Sequence, residues 1–213
     1  GEGRGFCTGG DVEDIIGRLL KMDARQLQEF TKLTCDVVAN MRAAPQPIVA
    51  ALNGTVAGAG AALTVASDVR IAVPEAKIAF LFVKAGLSAA DMGACHLLPR
   101  IVGFGRATEL LMLGDFISAE EAHRIGLYNR VVPRERLMDE ARAVAKALSE
   151  RPVTGIAVSK DTLNKQLSMS LADALASDAD VQAKLMRHPD FLEAYQAFTE
   201  KRAARFARKR QRV

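Results

Sequence analysis

The sequence contains no tryptophan and few residues of three other distinctive types: two tyrosines, three histidines and three cysteines. Cys7, Cys35 and Cys95 are odd in number and widely spaced, so they cannot all pair within the chain. Their spacing is also unlike that of cysteine ligands to a metal ion. We therefore expect free thiols in a reducing compartment and no metal site.

Long hydrophobic runs are missing as well. No apolar stretch approaches the roughly 20 residues that a helix needs to cross a bilayer. No basic segment followed by an apolar one, the pattern of a secretory signal peptide, occurs near Gly1. The sequence therefore predicts a protein without a membrane span, and we expect it in the cytoplasm.

The composition that remains is that of an ordinary globular protein, with 49% apolar and 25% charged residues. Its formal charge of +4 comes from the end of the chain, because seven of the 29 basic residues and no acidic ones lie from Lys201 to Val213. A tail of this kind is typical of a solvated helix end, although it also suits phosphate, RNA or an anionic membrane surface. We favour the solvated helix end and do not expect nucleic acid as a partner.

The hydrophobic pattern predicts alternating strands and helices in the first part of the chain. Helical spacing runs over residues 12–41 with a break near Met22, and residues 55–67 form a small-residue helix. Short apolar runs predict strands at residues 47–52, 68–73 and 77–83. Beyond Gly86 the pattern is mostly helical, and residues 154–212 are expected to form a helical end. This order predicts an α/β fold built from strand–turn–helix units.

Two glycine-rich turns lie where a strand is predicted to lead into a helix: Gly9-Gly10 and Gly58-Ala59-Gly60. The start of a helix carries unsatisfied N–H groups and a partial positive charge. If the fold brings the two turns together, two N–H groups can converge on one oxygen and form an oxyanion hole. Tight packing of helix against strand is the alternative, and the glycines taken alone favour it.

Both turns lie in segments that resemble signature loops of one enzyme family. Residues 5–11, GFCTGGD, resemble the G-x-F-C-x-G-x-D turn of the crotonase (enoyl-CoA hydratase/isomerase) superfamily. Residues 47–60, PIVAALNGTVAGAG, resemble its second loop, P-x-I-A-A-x-N-G-x-A-x-G-G-G. Further similarity follows in order as far as residues 198–202, so the resemblance covers essentially the whole chain. The family's first stretch, with the opening strands of its sheet, is expected to be missing from this chain.

The resemblance implies a crotonase-type spiral of ββα units at residues 1–150, which holds the acyl-CoA site, and a helical oligomerisation segment at 151–213. It implies a homotrimer or a dimer of trimers. It also implies a coenzyme A thioester as ligand, with coenzyme A as part of the substrate and no permanently bound cofactor. By motif position, the backbone N–H groups of Gly10 and Ala59 hold the thioester carbonyl oxygen. Ala59 replaces the family's usual glycine, which adds a methyl group but keeps the N–H.

Departures from the family pattern concern proton transfer. Hydratases of the family use two glutamates to place and activate water, and this chain has Ala62 and Phe82 at those positions. Neither side chain can move a proton. Residues 86–93, GLSAADMG, resemble the G-L-x-A-D-x-G stretch of the dienoyl-CoA isomerase branch if one residue is inserted, which makes Asp91 the candidate acid/base. The alternative role for Asp91 is to cap the following helix.

A single carboxylate can take a proton from one carbon of an acyl chain and return it to another, which moves a double bond. The resemblance therefore implies isomerisation or hydration of an enoyl-CoA. The alternatives are another reaction on the same scaffold, such as thioester hydrolysis or decarboxylation, and a catalytically silent relative that binds CoA or RNA.

Three residues are candidates for contacts with coenzyme A. Phe198 and Lys201 match family positions that reach the coenzyme A of a neighbouring subunit, with Lys201 at a phosphate and Phe198 near the adenine. Arg4, beside the first turn, is a further phosphate candidate. For each of them, surface charge or packing of the C-terminal helix is an equally good explanation.

Two further expectations concern burial. Small and aromatic side chains around the second turn predict an apolar pocket for the acyl chain, formed by Ala59, Ala61, Ala62, Phe80 and Phe82. His123 and His188 lie among charged helical residues and are expected on the surface.

Overall fold

The computed structural model of the protein describes residues 1–207. Its strands are β1 (Gly5–Cys7), β2 (Val49–Leu52), β3 (Thr55–Ala57), β4 (Val69–Ala72), β5 (Ile78–Ala79) and β6 (Arg130–Val131). A π-helical turn (Val12–Ile16) precedes α1 (Gly17–Leu19) and α2 (Ala24–Ala43). The later helices are α3 (Ala59–Ala66), α4 (Ala94–Val102), α5 (Phe104–Leu113), α6 (Ala119–Arg124), α7 (Leu137–Ser149), α8 (Val153–Gln166), α9 (Leu171–Leu185) and α10 (Pro189–Thr199).

The strands form two parallel sheets. One has the order β1-β3-β5 and the other the order β2-β4-β6. The chain therefore leaves the second sheet at the end of β2 and enters the first at β3, within the short turn at Asn53 and Gly54. A Cβ atom built at Gly54 would lie 2.0 Å from the carbonyl oxygen of Arg4, so this crossing requires glycine. The α/β class predicted from the sequence is confirmed.

Two strands were not predicted: β3, and the short β6 in the part of the chain that was expected to be mostly helical. The small apolar residues after Gly54 are helical only from Ala59, whereas Thr55–Ala57 form β3, the middle strand of its sheet. Small apolar residues suit a buried strand and a buried helix equally well, so the pattern alone does not separate the two. The strand predicted at residues 77–83 is also shorter, because β5 pairs with the short β3 and, through Ile78, with Ile117, and a 3-10 turn follows at Val83–Ala85.

Helix α3 begins directly against the end of β1. A Cβ atom at Gly60 would lie 2.1 Å from the carbonyl oxygen of Cys7 and 2.8 Å from its Cβ. The second and third residues of β3, Val56 and Ala57, are almost completely buried beneath this contact. The absence of a side chain at Gly60 therefore permits the close approach between a helix start and a strand end.

A buried arginine joins the second sheet to the segment that follows α6. The Arg70 side chain donates from Nε to the carbonyl oxygen of Leu127 and from Nη1 to that of Ser67, both at 2.6 Å. Burial lowers the pKa of Arg70, while the nearby carboxylate of Asp68 opposes this effect. The guanidinium satisfies two main-chain acceptors that would otherwise be buried without partners.

The chain divides into two compact units. The first comprises Gly1–Arg42 and Ile48–Arg142, and the second comprises Ala43–Pro47 and the chain from Ala143 onward. The functional assignment of residues 1–150 and 151–213 stays a prediction. No helix within residues 1–207 is long and apolar enough to span a membrane.

The helical segment predicted at residues 154–212 lies in the second unit. Up to residue 207 it consists of three helices, α8, α9 and α10. Ser170 begins α9, where its hydroxyl accepts from the Asp173 N–H at 3.2 Å. His188 begins α10, where its Nδ1 accepts from the Asp190 N–H at 3.2 Å. The expectation that His188 lies on the surface was wrong, because the residue is only 9% exposed. Much of the basic tail, at residues 208–213, lies outside the described residues.

We expect Gly60→Ala to lower the free energy of unfolding by at least about 2 kcal/mol, since a new methyl group would overlap the backbone of Cys7. The control is Gly105→Ala, where a Cβ meets nothing within 4 Å on α5. That change should raise stability by about 0.5 kcal/mol, the gain from alanine in a helix. Urea unfolding of both variants measures this difference, and equal effects would contradict the proposed clash.

Candidate functional site

The two glycine-rich turns lie side by side. Because β1 and β3 are parallel neighbours, their carboxyl ends lie at the same edge of the sheet. A Cβ atom at Gly9 would lie 3.5 Å from the backbone nitrogen of Ala59. A Cβ atom at Gly58 would lie 3.8 Å from the Cα of Gly9. The structure therefore brings the first turn against the start of α3.

Backbone geometry explains some of the glycines but not all. Gly9 and Gly58 have φ angles of 99° and 53°, which favour glycine, and Gly60 has no room for a side chain. Gly10 has neither constraint, since a Cβ there would make only an ordinary 3.4 Å contact with Ile15. The packing explanation therefore accounts for three glycines and leaves Gly10, the predicted donor, without a structural need.

The two predicted donors are available for a ligand. Gly58 precedes α3 without a side-chain cap, and its carbonyl accepts from the N–H groups of Ala61 and Ala62. Among the hydrogen bonds within residues 1–207, none is donated by the backbone N–H of Ala59 or Gly10. An unsatisfied N–H at the first residue of a helix is the ordinary result of helix geometry. Here the neighbouring turn, which approaches the Ala59 nitrogen at Gly9, carries a second unsatisfied N–H at Gly10.

The residues at the two glutamate positions of the family lie in the core. Ala62 is completely buried and Phe82 is 7% exposed. Ala61 and Phe80 are buried to the same degree. The expected apolar acyl pocket formed by these side chains stays a prediction, and their burial shows that they belong to the apolar interior around α3 and β5.

Asp91 lies on the wall of a cleft of about 980 Å³ between α2 and the segment that leads to α4. Its side chain is half-buried, and burial raises the pKa of Asp91, while a hydrogen bond from the Met92 N–H opposes this shift. Met92 and Gly93 both have positive φ angles, of 45° and 74°, so the chain turns sharply there. Within residues 1–207, Asp91 forms no ion pair.

The alternative role of Asp91, as a helix cap, receives no support from its side chain. Gly93 is the residue before α4, and the carbonyl oxygen of Asp91, not its carboxylate, accepts from the Ala94 N–H at 2.9 Å. No hydrogen bond described for residues 1–207 joins the carboxylate to an N–H of α4. The carboxylate therefore faces the cleft rather than the end of the helix.

The opposite wall of the cleft was not predicted. It is one face of α2, whose side chains follow the three- and four-residue spacing of a helix and are mostly polar: Arg25, Gln28, Glu29, Thr31, Lys32 and Cys35. Glu29 forms an ion pair with Arg25 at 2.9 Å. The periodicity of α2 is visible in the sequence, but it does not say which face meets the segment around Asp91.

The three candidate contacts for coenzyme A are exposed residues. Arg4 is exposed and precedes β1, so it lies at the end of the strand opposite to Gly10. Phe198 is 83% exposed near the end of α10, and the exposed Lys201 follows with a φ angle of 53°. The described part of the chain contains no group of three or more histidine, cysteine, aspartate or glutamate residues that could hold a metal ion.

Comparisons with known proteins identify the family of the chain. A family model described as enoyl-CoA hydratase/isomerase matches residues 1–209. The chain is 35% identical to 1,2-epoxyphenylacetyl-CoA isomerase of Escherichia coli, over 98% of this chain and 79% of that protein. It is 34% identical to crotonyl-CoA hydratase of Syntrophomonas wolfei, over 97% of this chain and 77% of that protein.

A crystal structure shows the same fold. It is that of a Streptomyces coelicolor A3(2) protein provisionally named enoyl-CoA hydratase, which superposes with a TM-score of 0.96 and is 48% identical to this chain. The match covers 98% of this chain and 76% of that one. The crotonase-type fold expected from the sequence is therefore confirmed.

We expect Asp91→Asn to be more stable than the wild-type protein at pH 7. Burial raises the pKa of Asp91 in the native state above its value of about 3.9 in an unfolded chain. Above that value the native state binds more protons than the unfolded state, so the contribution of Asp91 to stability falls as the pH rises. The gain in Tm should be present at pH 7 and should shrink below about pH 4. Calorimetry across this range measures it.

Asp36→Asn is the matched control. Asp36 lies on α2 in a surface ion pair with Lys32, at 2.7 Å, and outside the cleft lining. Loss of this carboxylate should give no gain in Tm at pH 7, because a surface ion pair contributes little to the free energy of unfolding. A Tm for Asp91→Asn below the wild-type value at pH 7 would contradict the effect of burial.

Proposed function

The chain belongs to the enoyl-CoA hydratase/isomerase family, within the crotonase superfamily, and we propose that it isomerises the double bond of an enoyl-CoA. The observation that carries the proposal is the approach of the Gly9-Gly10 turn to the backbone nitrogen of Ala59, where neither the Gly10 N–H nor the Ala59 N–H donates a hydrogen bond within residues 1–207. One half-buried carboxylate, Asp91, completes it. The two relatives described above are both named for reactions of CoA thioesters.

The two N–H groups bind the thioester carbonyl oxygen. An enolate forms when a proton leaves the carbon next to the thioester carbonyl, or a carbon next to a double bond conjugated with it. The negative charge then develops on the carbonyl oxygen. Backbone donors fixed by β1 and α3 stabilise this charge without having to reorganise during the reaction. The methyl group of Ala59 does not alter its N–H, so the replacement of the usual glycine leaves the donor in place.

Asp91 transfers the proton. Its carboxylate removes a proton from one carbon of the acyl chain, the C–H electrons move through the conjugated system to the thioester oxygen, and the double bond shifts. The carboxylic acid then returns the same proton to another carbon, so no oxidant or further reactant is needed. The raised pKa of Asp91 suits both halves of this exchange, since it brings the acid closer to neutral pH.

Hydration is the second candidate. Glu29 lies across the same cleft from Asp91 and could supply a second carboxylate for holding water. Its ion pair with Arg25 gives it another role in the structure described here, which is why we place isomerisation first. Thioester hydrolysis, decarboxylation and a catalytically silent CoA- or RNA-binding role are not favoured by the family relatives.

We propose that Phe198, Lys201 and Arg4 contact coenzyme A, with Lys201 and Arg4 at phosphates. The exposure of Phe198 and Lys201 supports a role in contacts beyond their own unit. A homotrimer or a dimer of trimers, and a cytoplasmic location, remain predictions of the same resemblance.

We expect Asp91→Asn to lose at least about 100-fold in kcat, the typical effect of removing a general acid/base. A 3-enoyl-CoA measures isomerisation and crotonyl-CoA measures hydration, so both reactions are followed with the same preparations. If Asp91→Asn keeps its isomerase activity, the assignment of Asp91 is wrong. If the wild-type protein hydrates crotonyl-CoA and leaves the 3-enoyl-CoA unchanged, the second candidate replaces the first.

Ala59→Pro tests the backbone donor. Proline has no N–H, but it is well tolerated at the first residue of a helix, and the chain itself places Pro189 at the start of α10. We expect kcat to fall by about 100- to 1,000-fold, the effect of losing one oxyanion donor. Circular dichroism should show the helices retained.

Leu171→Pro is the matched control for this change. Leu171 is the exposed first residue of α9 and follows Ser170, whose extended backbone suits a residue before proline. This variant should keep the wild-type kcat. Retained activity in Ala59→Pro would show that its N–H does not bind the carbonyl oxygen.

A further inference from the structure

Asp11 accepts hydrogen bonds from backbone N–H groups of the turn that follows Gly10. Its Oδ1 accepts from the backbone N–H of Glu13 at 2.9 Å and from that of Asp14 at 2.8 Å. Its carbonyl oxygen accepts from the N–H groups of Ile15 and Ile16 at 3.0 and 3.1 Å. Four hydrogen bonds thus converge on the residue next to the proposed donor.

The turn held by Asp11 also contacts Gly10 itself. The side chain of Ile15 lies 3.4 Å from the position that a Cβ atom at Gly10 would occupy. Burial contributes little to holding this segment, because Asp11, Ile15 and Ile16 are exposed. The hydrogen bonds to Asp11 are therefore its main local restraint.

Gly9 and Gly10 need such a restraint. Two adjacent glycines have more backbone freedom than any other pair of residues, so the direction of the N–H between them depends on what holds the chain at either side. On one side β1 is fixed by its pairing with β3. On the other side the chain is fixed at Asp11.

We propose that Asp11 is a positioning residue, which sets the direction of the Gly10 N–H by anchoring the turn that follows. This inference rests on the proposed function, because it concerns how one of the two oxyanion donors is held. A displaced donor loses part of its effect on the transition state while other contacts with the substrate remain. Removal of the Asp11 side chain is therefore expected to lower kcat more than it changes KM.

The role requires an acceptor and not a charge. A negative charge near the oxygen that becomes an enolate would oppose the reaction, whereas Asp11 Oδ1 serves as a hydrogen-bond acceptor for two N–H groups. Asparagine keeps such an acceptor and is an equally good residue at the start of a helix. Asp11→Asn therefore separates positioning from an electrostatic role.

The kinetic test compares Asp11→Ala, Asp11→Asn and Asp23→Ala. Asp23 is the matched control, since its Oδ1 accepts from the Gln26 N–H at 2.8 Å at the start of α2, away from Gly10. We expect Asp11→Ala to lose at least about 10-fold in kcat, part of the loss expected for a missing donor, with KM changed by less than about threefold. Asp11→Asn and Asp23→Ala should stay within about threefold of the wild-type kcat.

Three kinetic results would overturn the proposal. They are a wild-type kcat in Asp11→Ala, a loss in Asp11→Asn as large as in Asp11→Ala, and an equal loss in Asp23→Ala. The last result would mean that any lost cap in this region lowers activity. Near-identical circular dichroism spectra and Tm values for the two alanine variants show that both are folded.

A spectroscopic test needs no turnover. The probe is 4-dimethylaminocinnamoyl-CoA, whose absorption moves to longer wavelength when its carbonyl oxygen accepts strong hydrogen bonds. Equilibrium dialysis first establishes that each protein binds it. We expect a shift with the wild-type protein, Asp11→Asn and Asp23→Ala, and a smaller shift with Asp11→Ala.

The two proposals fail in different ways in this test. If the wild-type protein binds the probe without a shift, the oxyanion site itself is wrong and the positioning role fails with it. If the wild-type protein shows the shift and bound Asp11→Ala shows the same shift, the oxyanion site stands and only the role of Asp11 is wrong.

Discussion

The candidate site depends on one close approach between backbones. Helix α3 begins against the end of β1, and the space that a side chain at Gly60 would need is filled by the carbonyl group of Cys7. Parallel pairing of β1 with β3 adds the second requirement, because it places the two turns at one edge of the sheet. Together these constraints bring the Gly10 turn beside the N–H of Ala59 without any contribution from polar side chains.

A site built from backbone donors separates binding of the carbonyl oxygen from the chemistry at the acyl chain. The proposed donors depend on where the chain turns, so the side chain of Ala59 leaves its N–H in place. Proton transfer depends on side chains, and here Ala62 and Phe82 are core residues that pack α3 and β5. The residue that we propose for acid/base chemistry is Asp91, whose half-buried carboxyl group has a raised pKa. The fold is thus compatible with several reactions, and the side chains of the cleft select among them.

Stability and function oppose each other at two positions. Burial of the Asp91 carboxylate lowers the free energy of unfolding at neutral pH. At the start of α3, the Ala59 N–H donates no hydrogen bond within residues 1–207 and so does not stabilise the fold through one. Asp11 instead adds to stability, since its carboxylate accepts hydrogen bonds from N–H groups of the neighbouring turn. The structure therefore caps the π-helical turn through Asp11 and leaves without a side-chain cap the start of α3, which we propose meets the substrate.

The sequence by itself determined the α/β class, the family, both glycine turns and the candidate donors, because loop signatures and periodicity are local in the chain. It did not separate β3 from α3, since small apolar residues suit both. Only the tertiary structure showed that the Gly9-Gly10 turn lies against the start of α3, that Phe80 is core, that His188 is buried, and that the polar face of α2 lies opposite Asp91. These facts depend on which surfaces meet across long stretches of chain, and no local pattern carries that information.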